Sequence, residues 1–272
     1  MIDFRPIFLI LGFLLTTLAI MMLVPAAVDI FSGNPDWQVF LAAAGLTLFV
    51  GGALVLTMRT NNMALTIRQA FLLTMLSWLA VTVFGSLPFV FAELDMSYTD
   101  AFFEAMSGLT STGSTIMSDL DQAPRGILLW RAILQWLGGI GIIVMAVAVL
   151  PILRVGGMQL FHTESSDSSE KVLPRAGQIA SIIGIIYFFL TILCALLLWK
   201  FGMPIFDSIA HAMTTLATGG FSTSDMSIGK YENIVKESYK GGGHNPLDPK
   251  DPKAENSFGL VDHLKKHSLK KV

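Results

Sequence analysis

Five long apolar runs, at about residues 7 to 28, 38 to 58, 69 to 92, 126 to 153 and 177 to 199, alternate with short polar stretches along the chain. A helix needs about 20 apolar residues to cross a bilayer, and each run is long enough to span with some tilt. The pattern predicts five spanning helices. The first run is expected to be a retained helix rather than a signal segment, because it is too long and lacks a small-residue cleavage site before the next span. Two further stretches, Tyr98 to Thr115 and Phe206 to Ser222, behave differently. Each begins as a helix-like segment of about a dozen residues, too short to span, opened by an Asp that can cap it. Each ends on a Gly-containing polar turn. At a constant offset of 107 residues, Asp100 meets Asp207, Ala105 meets Ala212, Met106 meets Met213, Leu109 meets Leu216 and Gly113 meets Gly220.

This repeat predicts two short re-entrant helices, each followed by an exposed polar loop, TSTGST at Thr110 to Thr115 and ATGGFST at Ala217 to Thr223. Irregular backbone at membrane depth is tolerated only where protein buries it or where it lines a water-filled path. Two such loops in one chain point to an ion pore.

Composition agrees with the membrane setting. The hydrophobic fraction is 53% and charged residues make up 14%, against about 25% in soluble domains. Mean hydropathy is +0.63. The net charge of −2 hides an uneven distribution, since nine of the 18 Lys and Arg fall in the last 43 residues, Lys230 to Val272. The single Cys194 sits in an apolar run and reads as a packing residue.

Orientation follows from the cations between spans. With alternating helices, Arg5, the Arg59 to Arg68 loop and the Arg154 to Arg175 loop share one side, which is expected to be the cytoplasm, together with the N-terminus. Asp29, Asp36, Glu93, Asp95, Asp100, Asp119, Asp121 and Asp225 collect on the other. An acidic mouth concentrates cations before a filter, although exposed loops also carry charge for solvation alone.

A filter for alkali cations needs oxygen ligands in place of hydration, and backbone carbonyls supply them if the chain can take an alternately twisted path. Gly113 and Gly220 permit positive φ there. The expected ligands are the carbonyls of Thr110, Ser111, Thr112 and Gly113, then those of Ala217, Thr218, Gly219 and Gly220. Arg131 lies inside an apolar run, where a lone charge is costly. Glu104 and Asp121 are candidate partners at the outer mouth, and snorkelling to the interface is the alternative. His211 matches Glu104 in the repeat and reads either as filter support or as a packed or capping residue. Gly138, Gly139 and Gly141 read as a close-approach surface for a neighbouring helix. Asp100 and Asp207 are expected to be helix caps rather than ion ligands. The His162 to Arg175 stretch is an inner loop where a soluble partner could dock. Neither HExxH nor GxxxxGK[ST] occurs, so no enzyme is expected and no cofactor. The basic tail lacks interleaved aromatic residues, which argues against nucleic acid.

The strings DAFFEAMSGLTSTGST, RAILQWLGGIGIIVMAVAVLP and DSIAHAMTTLATGGFSTSD, in that order, resemble the Trk/Ktr/HKT superfamily of K⁺ transporters, and within it the bacterial Trk membrane subunit. The resemblance runs from the N-terminus to about Gly229. It implies an all-α membrane fold in which four repeats of helix, pore helix and helix surround one pore, this chain carrying the front half. Gly113 and Gly220 would be the first and second filter glycines, with K⁺ as the transported ion. It also implies a bacterial inner-membrane location among lipids, a homodimer, and a cytosolic nucleotide-binding regulatory subunit. The expected organisation is two leading helices in 1–68, a first repeat in 69–154, a cytoplasmic loop and incomplete second repeat in 155–229, and a flexible, non-native tail in 230–272. A truncated or frameshifted reading frame, or an engineered fragment, is the expected origin of that tail, whose polar, Gly- and Pro-containing composition reads as flexible. The expected function is K⁺ uptake as part of a Trk-type translocation subunit. The alternative is a nonconducting truncated protein with an assembly or regulatory role.

Overall fold

The computed structural model describes residues 3–60, 65–92, 94–153 and 172–231. The helices are α1 (Arg5–Ser32), α2 (Trp37–Thr57), α3 (Ile67–Gly85), α4 (Leu87–Phe91), α5 (Tyr98–Leu109), α6 (Arg125–Leu153), α7 (Val172–Lys200) and α8 (Ile205–Leu216). A short 3₁₀ turn follows at Ser227–Tyr231. No strand occurs among the described residues. Five stretches are long and apolar enough to cross a membrane: α1, α2, α3 with α4, the first part of α6, and α7 from Ala180. The expected five spans and two short helices are all present. The 162–171 loop and the tail beyond Tyr231 lie outside the described residues.

Local chemistry sets the ends of these elements. Gly33 closes α1 with φ of 71°, and its backbone N–H caps the carbonyls of Asp29 and Ile30. Thr66 and Gln69 form a capping box at the start of α3, and the Gln69 amide also donates to Asp3 O at 2.6 Å. The start of the chain is thereby tied to the third span. α1 and α2 form an antiparallel hairpin held close by small residues, since a Cβ at Gly51 would lie 2.9 Å from Thr16 N.

α6 is the central pillar. Ile127, Trp130, Ile133 and Leu134 pack with Leu15 and Met22 of α1, Phe40 of α2 and Phe89 of α4. The buried Trp130 donates its indole N–H to Gly85 O at 2.8 Å, joining α6 to the end of α3. Asp29 departs from its expected place in an acidic mouth. It is fully buried, and its Oδ1 accepts from Gly126 N–H at 2.7 Å. A carboxylate from α1 thus meets the positive start of α6, where a free N–H would otherwise be orphaned. By contrast α7 keeps Ile185, Phe189 and Leu196 exposed. α5 packs on α3 and α6, and α8 packs on α7 and α6, so α6 stands against both short helices.

Candidate functional site

The two short helices end in the same way. In each, the last backbone bonds are the paired bonds of a Schellman motif. Ser111 N–H reaches Gly108 O at 2.9 Å and Thr112 N–H reaches Ser107 O at 3.0 Å. In the second copy, Thr218 N–H reaches Thr215 O at 3.0 Å and Gly219 N–H reaches Thr214 O at 3.0 Å. The chain then turns left-handed at matching positions: Ser111 (φ 54°) with Thr218 (φ 56°), and Gly113 (φ 79°) with Gly220 (φ 80°). Positive φ is strained for a residue with a Cβ, above all for β-branched Thr218. Left-handed positions thus alternate with others along each loop.

Among the described residues, no hydrogen bond is made to the carbonyl oxygens of Thr110, Ser111, Thr112, Gly113, Ala217, Thr218, Gly219 or Gly220. Further along, Ser114 O accepts from Ser107 Oγ at 2.6 Å, and Ser222 O, one residue past Phe221, accepts from Arg131 at 3.0 Å. The loop hydroxyls mostly brace the loops. Thr110 Oγ1 donates to Met106 O at 2.8 Å and lies 2.8 Å from Thr112 Oγ1. Ser222 Oγ lies 3.2 Å from His211 Nε2. The two loops touch, because a Cβ on Gly113 would collide with Gly219 O.

Behind the loops stands Arg131, 1% exposed, against the fully buried Glu104. Its Nε donates to Glu104 Oε1 at 2.8 Å, one terminal nitrogen donates to Thr115 Oγ1 at 2.9 Å, and the other reaches Ser222 O. Its guanidinium also covers the Phe221 ring at 4.1 Å. One arginine thus holds the α5 carboxylate and both loops, and it does not snorkel. Of the two partners that sequence reasoning named, Glu104 is the one that Arg131 holds. Asp121 is not; it accepts from Ser224 Oγ at 3.0 Å and from Lys230 Nζ at 2.6 Å. The Lys230 ammonium and the Ser224 hydroxyl hold the Asp121 carboxyl below the usual carboxylate range.

Glu104 also accepts from Thr115 Oγ1 at 2.9 Å and from Ile116 N–H at 3.0 Å, tying the end of loop one to the helix before it. His211 occupies the matching place in the second copy, with Nδ1 2.8 Å from Asp207 O and Nε2 beside Ser222. It is both packed and bonded to the loop. Tyr231 packs edge-on against it at 5.9 Å, and burial pushes the Tyr231 hydroxyl up to about 12.

Of the two expected Asp caps, Asp100 takes part in capping and Asp207 does not. Ser97 is the N-cap of α5, and Asp100 at the third helical position completes the capping box. In α8 the N-cap position holds Pro204, whose ring offers no acceptor, and Asp207 instead accepts from Thr223 Oγ1 at 2.7 Å. Of the clustered glycines Gly138, Gly139 and Gly141 on α6, Gly138 presses against Leu109 O, and a Cβ at Gly139 would lie 2.6 Å from the Tyr187 hydroxyl. Nothing lies within 4 Å of a Cβ at Gly141, so close approach does not explain that glycine.

Sequence reasoning missed Gln135, Phe221 and Thr223. Gln135 is fully buried, and its Oε1 accepts from Phe221 N–H at 3.1 Å. Its signal was available: Gln135 lies one turn after Arg131, so two polar side chains share one face of an apolar helix.

Residues 36–238 match the TrkH family, described as cation transport protein. The chain is 47% identical over 234 residues to the Trk system potassium uptake protein TrkI of Halomonas elongata, covering 83% of this chain and 46% of the relative. It is 42% identical to the Trk system potassium uptake protein TrkH of Escherichia coli K12, covering 85% of this chain and 48% of the relative. The fold is similar to the crystal structure of the potassium transporter TrkH from Vibrio parahaemolyticus, with a TM-score of 0.76 and 38% identity over 88% of this chain and 49% of that one. The chain therefore spans about half the length of the relatives it matches.

Proposed function

This chain belongs to the TrkH family of cation transport proteins, and from that premise we propose that it supplies two of the filter loops of a K⁺ uptake pathway. The protein is a multi-pass membrane protein of five apolar helices, and its family is one of transporters rather than enzymes. K⁺ is the substrate of choice because the relatives at 41–47% identity are named as potassium uptake proteins.

One observation carries the reading. Eight carbonyls in two loops of matching left-handed register accept no hydrogen bond from a described residue, while Ser114 O and Ser222 O further along the same loops are bonded. Carbonyls kept out of the protein's own hydrogen bonding can replace the hydration shell of a cation. Thr110, Ser111, Thr112 and Gly113 provide the oxygens of one loop; Ala217, Thr218, Gly219 and Gly220 provide those of the other. Glu104, Arg131 and His211 hold the loops from behind, and Asp121 stands at the outer mouth with Lys230.

The orientation proposed from the cations puts the N-terminus in the cytoplasm and both loops on the outer side of the bacterial inner membrane. A complete path needs further loops, from the remainder of a longer protein or from a second copy. A homodimer and a cytosolic nucleotide-binding subunit are the partners proposed on family grounds. Domain limits of 1–68, 69–154 and 155–229 separate the leading hairpin from the two repeats.

The test is growth of a K⁺-uptake-deficient bacterial strain at limiting K⁺ while it makes this chain. Growth that disappears with Gly113→Asp and with Gly220→Asp supports the reading. Growth that survives both substitutions refutes the role of the loops. No growth, with the chain confirmed in the membrane, favours the nonconducting assembly role.

A further inference from the structure

Gln135 joins three elements at the point where the two loops meet. The Phe221 N–H fixes the orientation of its carboxamide, since the reverse assignment would set two donors face to face. Nε2 is then buried and has no hydrogen-bond partner among the described residues. The amide lies flat on loop two, where a Cβ at Gly219 would fall 2.5 Å from Nε2 and 2.6 Å from Oε1. The Gly219 carbonyl lies in turn against Gly113 of loop one, whose Cβ position is 3.8 Å from Gln135 Nε2. The carboxamide of α6, a peptide of loop two and a glycine of loop one are therefore stacked in sequence. Any change in the size or polarity of the first must pass to the third.

We propose that Gln135 is a positioning residue that sets the separation of the two glycine loops, its carboxamide being the spacer packed against the Gly219 peptide where the loops cross. It touches no ion. It acts by fixing where the Gly219 and Gly113 carbonyls can stand, so cation discrimination depends on it. The discrimination part rests on the proposed function; the spacing part does not.

Two variants of the purified full chain in detergent separate the roles. Gln135→Met keeps length and removes both polar atoms, while Gln135→Glu keeps the acceptor for Phe221 and loses the amide donor. Hydrogen exchange is followed in peptides covering 110–115 and 217–223, with α1 and α2 as the internal reference. For Gln135→Met, exchange should rise about five- to tenfold in both loops, as expected for loss of about one net hydrogen bond, and stay unchanged in the reference. Gln135→Glu, which keeps the acceptor for Phe221 and the length of the side chain, should retain the protection of 217–223. A rise confined to 217–223 in Gln135→Met, or an equal rise throughout the chain, would overturn the proposal.

The second readout is the shift in Tm on replacing Na⁺ by K⁺, followed by the fluorescence of neighbouring Trp130 and Trp136. A difference present in the parent should collapse in Gln135→Met; a difference that persists at its full size overturns the discrimination claim. A parent that responds equally to both cations refutes the proposed function and the discrimination claim with it, while the exchange result still decides the spacing claim.

Discussion

The two re-entrant units share a backbone and differ in the chemistry that holds it. Both helices are 12 residues long, and both loops turn left-handed at equivalent positions. The first unit is secured by charge: Glu104 binds Arg131, Thr115 and Ile116. In the second, His211 stands where Glu104 does, with Nε2 3.2 Å from the Ser222 hydroxyl. The start of each helix differs as well. Ser97 caps α5 with help from Asp100, whereas Pro204 leaves Asp207 available to Thr223 at the far end of loop two. The backbone path is thus independent of any one anchoring chemistry. What the two repeats share is the left-handed register of their loops.

Breaking the charged anchor should have the largest effect. Arg131→Met leaves Glu104 buried without a counter-charge, which should cost about 3–5 kcal/mol in denaturant unfolding. Adding Glu104→Gln to it should recover part of that loss, because the pair is a coupled unit. Full additivity would mean that the two do not act together. The second anchor is weaker. His211→Ala should cost about 1 kcal/mol, with hydrogen exchange rising in 217–223 and not in 110–115. A rise in both loops would place His211 on the same footing as Arg131.

Relief of strain sharpens the comparison from the other side. Thr218→Gly should stabilise the chain by up to about 1 kcal/mol, because a β-branched residue leaves left-handed space and the gain exceeds the added freedom of the unfolded chain. Ser111→Gly should do less, since serine tolerates that region better. The smallest effect concerns the contact between Asp121 and Lys230. Its contribution is present above the unfolded carboxylate value of 3.8 and is lost as pH falls through the lowered folded value. A carbon-13 titration of Asp121 should show its midpoint below 3.8, and Lys230→Gln should move it upward.

Much of this was legible in the sequence because it rests on local periodicity and on a repeat. Apolar runs locate the spans, and the 107-residue offset locates both short helices and both left-handed glycines. The Arg131 and Glu104 pair was foreseeable from the cost of a lone charge in an apolar helix. What escaped were contacts set by three-dimensional crossing. Asp29 was read as a surface acid, yet the α1–α2 hairpin brings it onto Gly126. Asp121 was one candidate for Arg131, yet the 3₁₀ turn at Ser227–Tyr231 delivers Lys230 to it. Asp100 shares in the cap of its helix and Asp207 does not, because Ser97 and Pro204, three residues earlier, decide what each Asp is free to do. Gln135 was passed over as one polar residue in an apolar run, since its meaning comes from a loop 86 residues away.

The most direct test of the central claim, that the carbonyls of the two loops form a cation-coordinating surface selective for K⁺, is the thermal stability of the purified chain in matched K⁺, Rb⁺, Na⁺ and choline salts. The account predicts a higher Tm in K⁺ and Rb⁺ than in Na⁺ or choline, and loss of that difference in Gly113→Asp and in Gly220→Asp. An identical Tm in all four salts, or a K⁺ response that survives both substitutions, would contradict it.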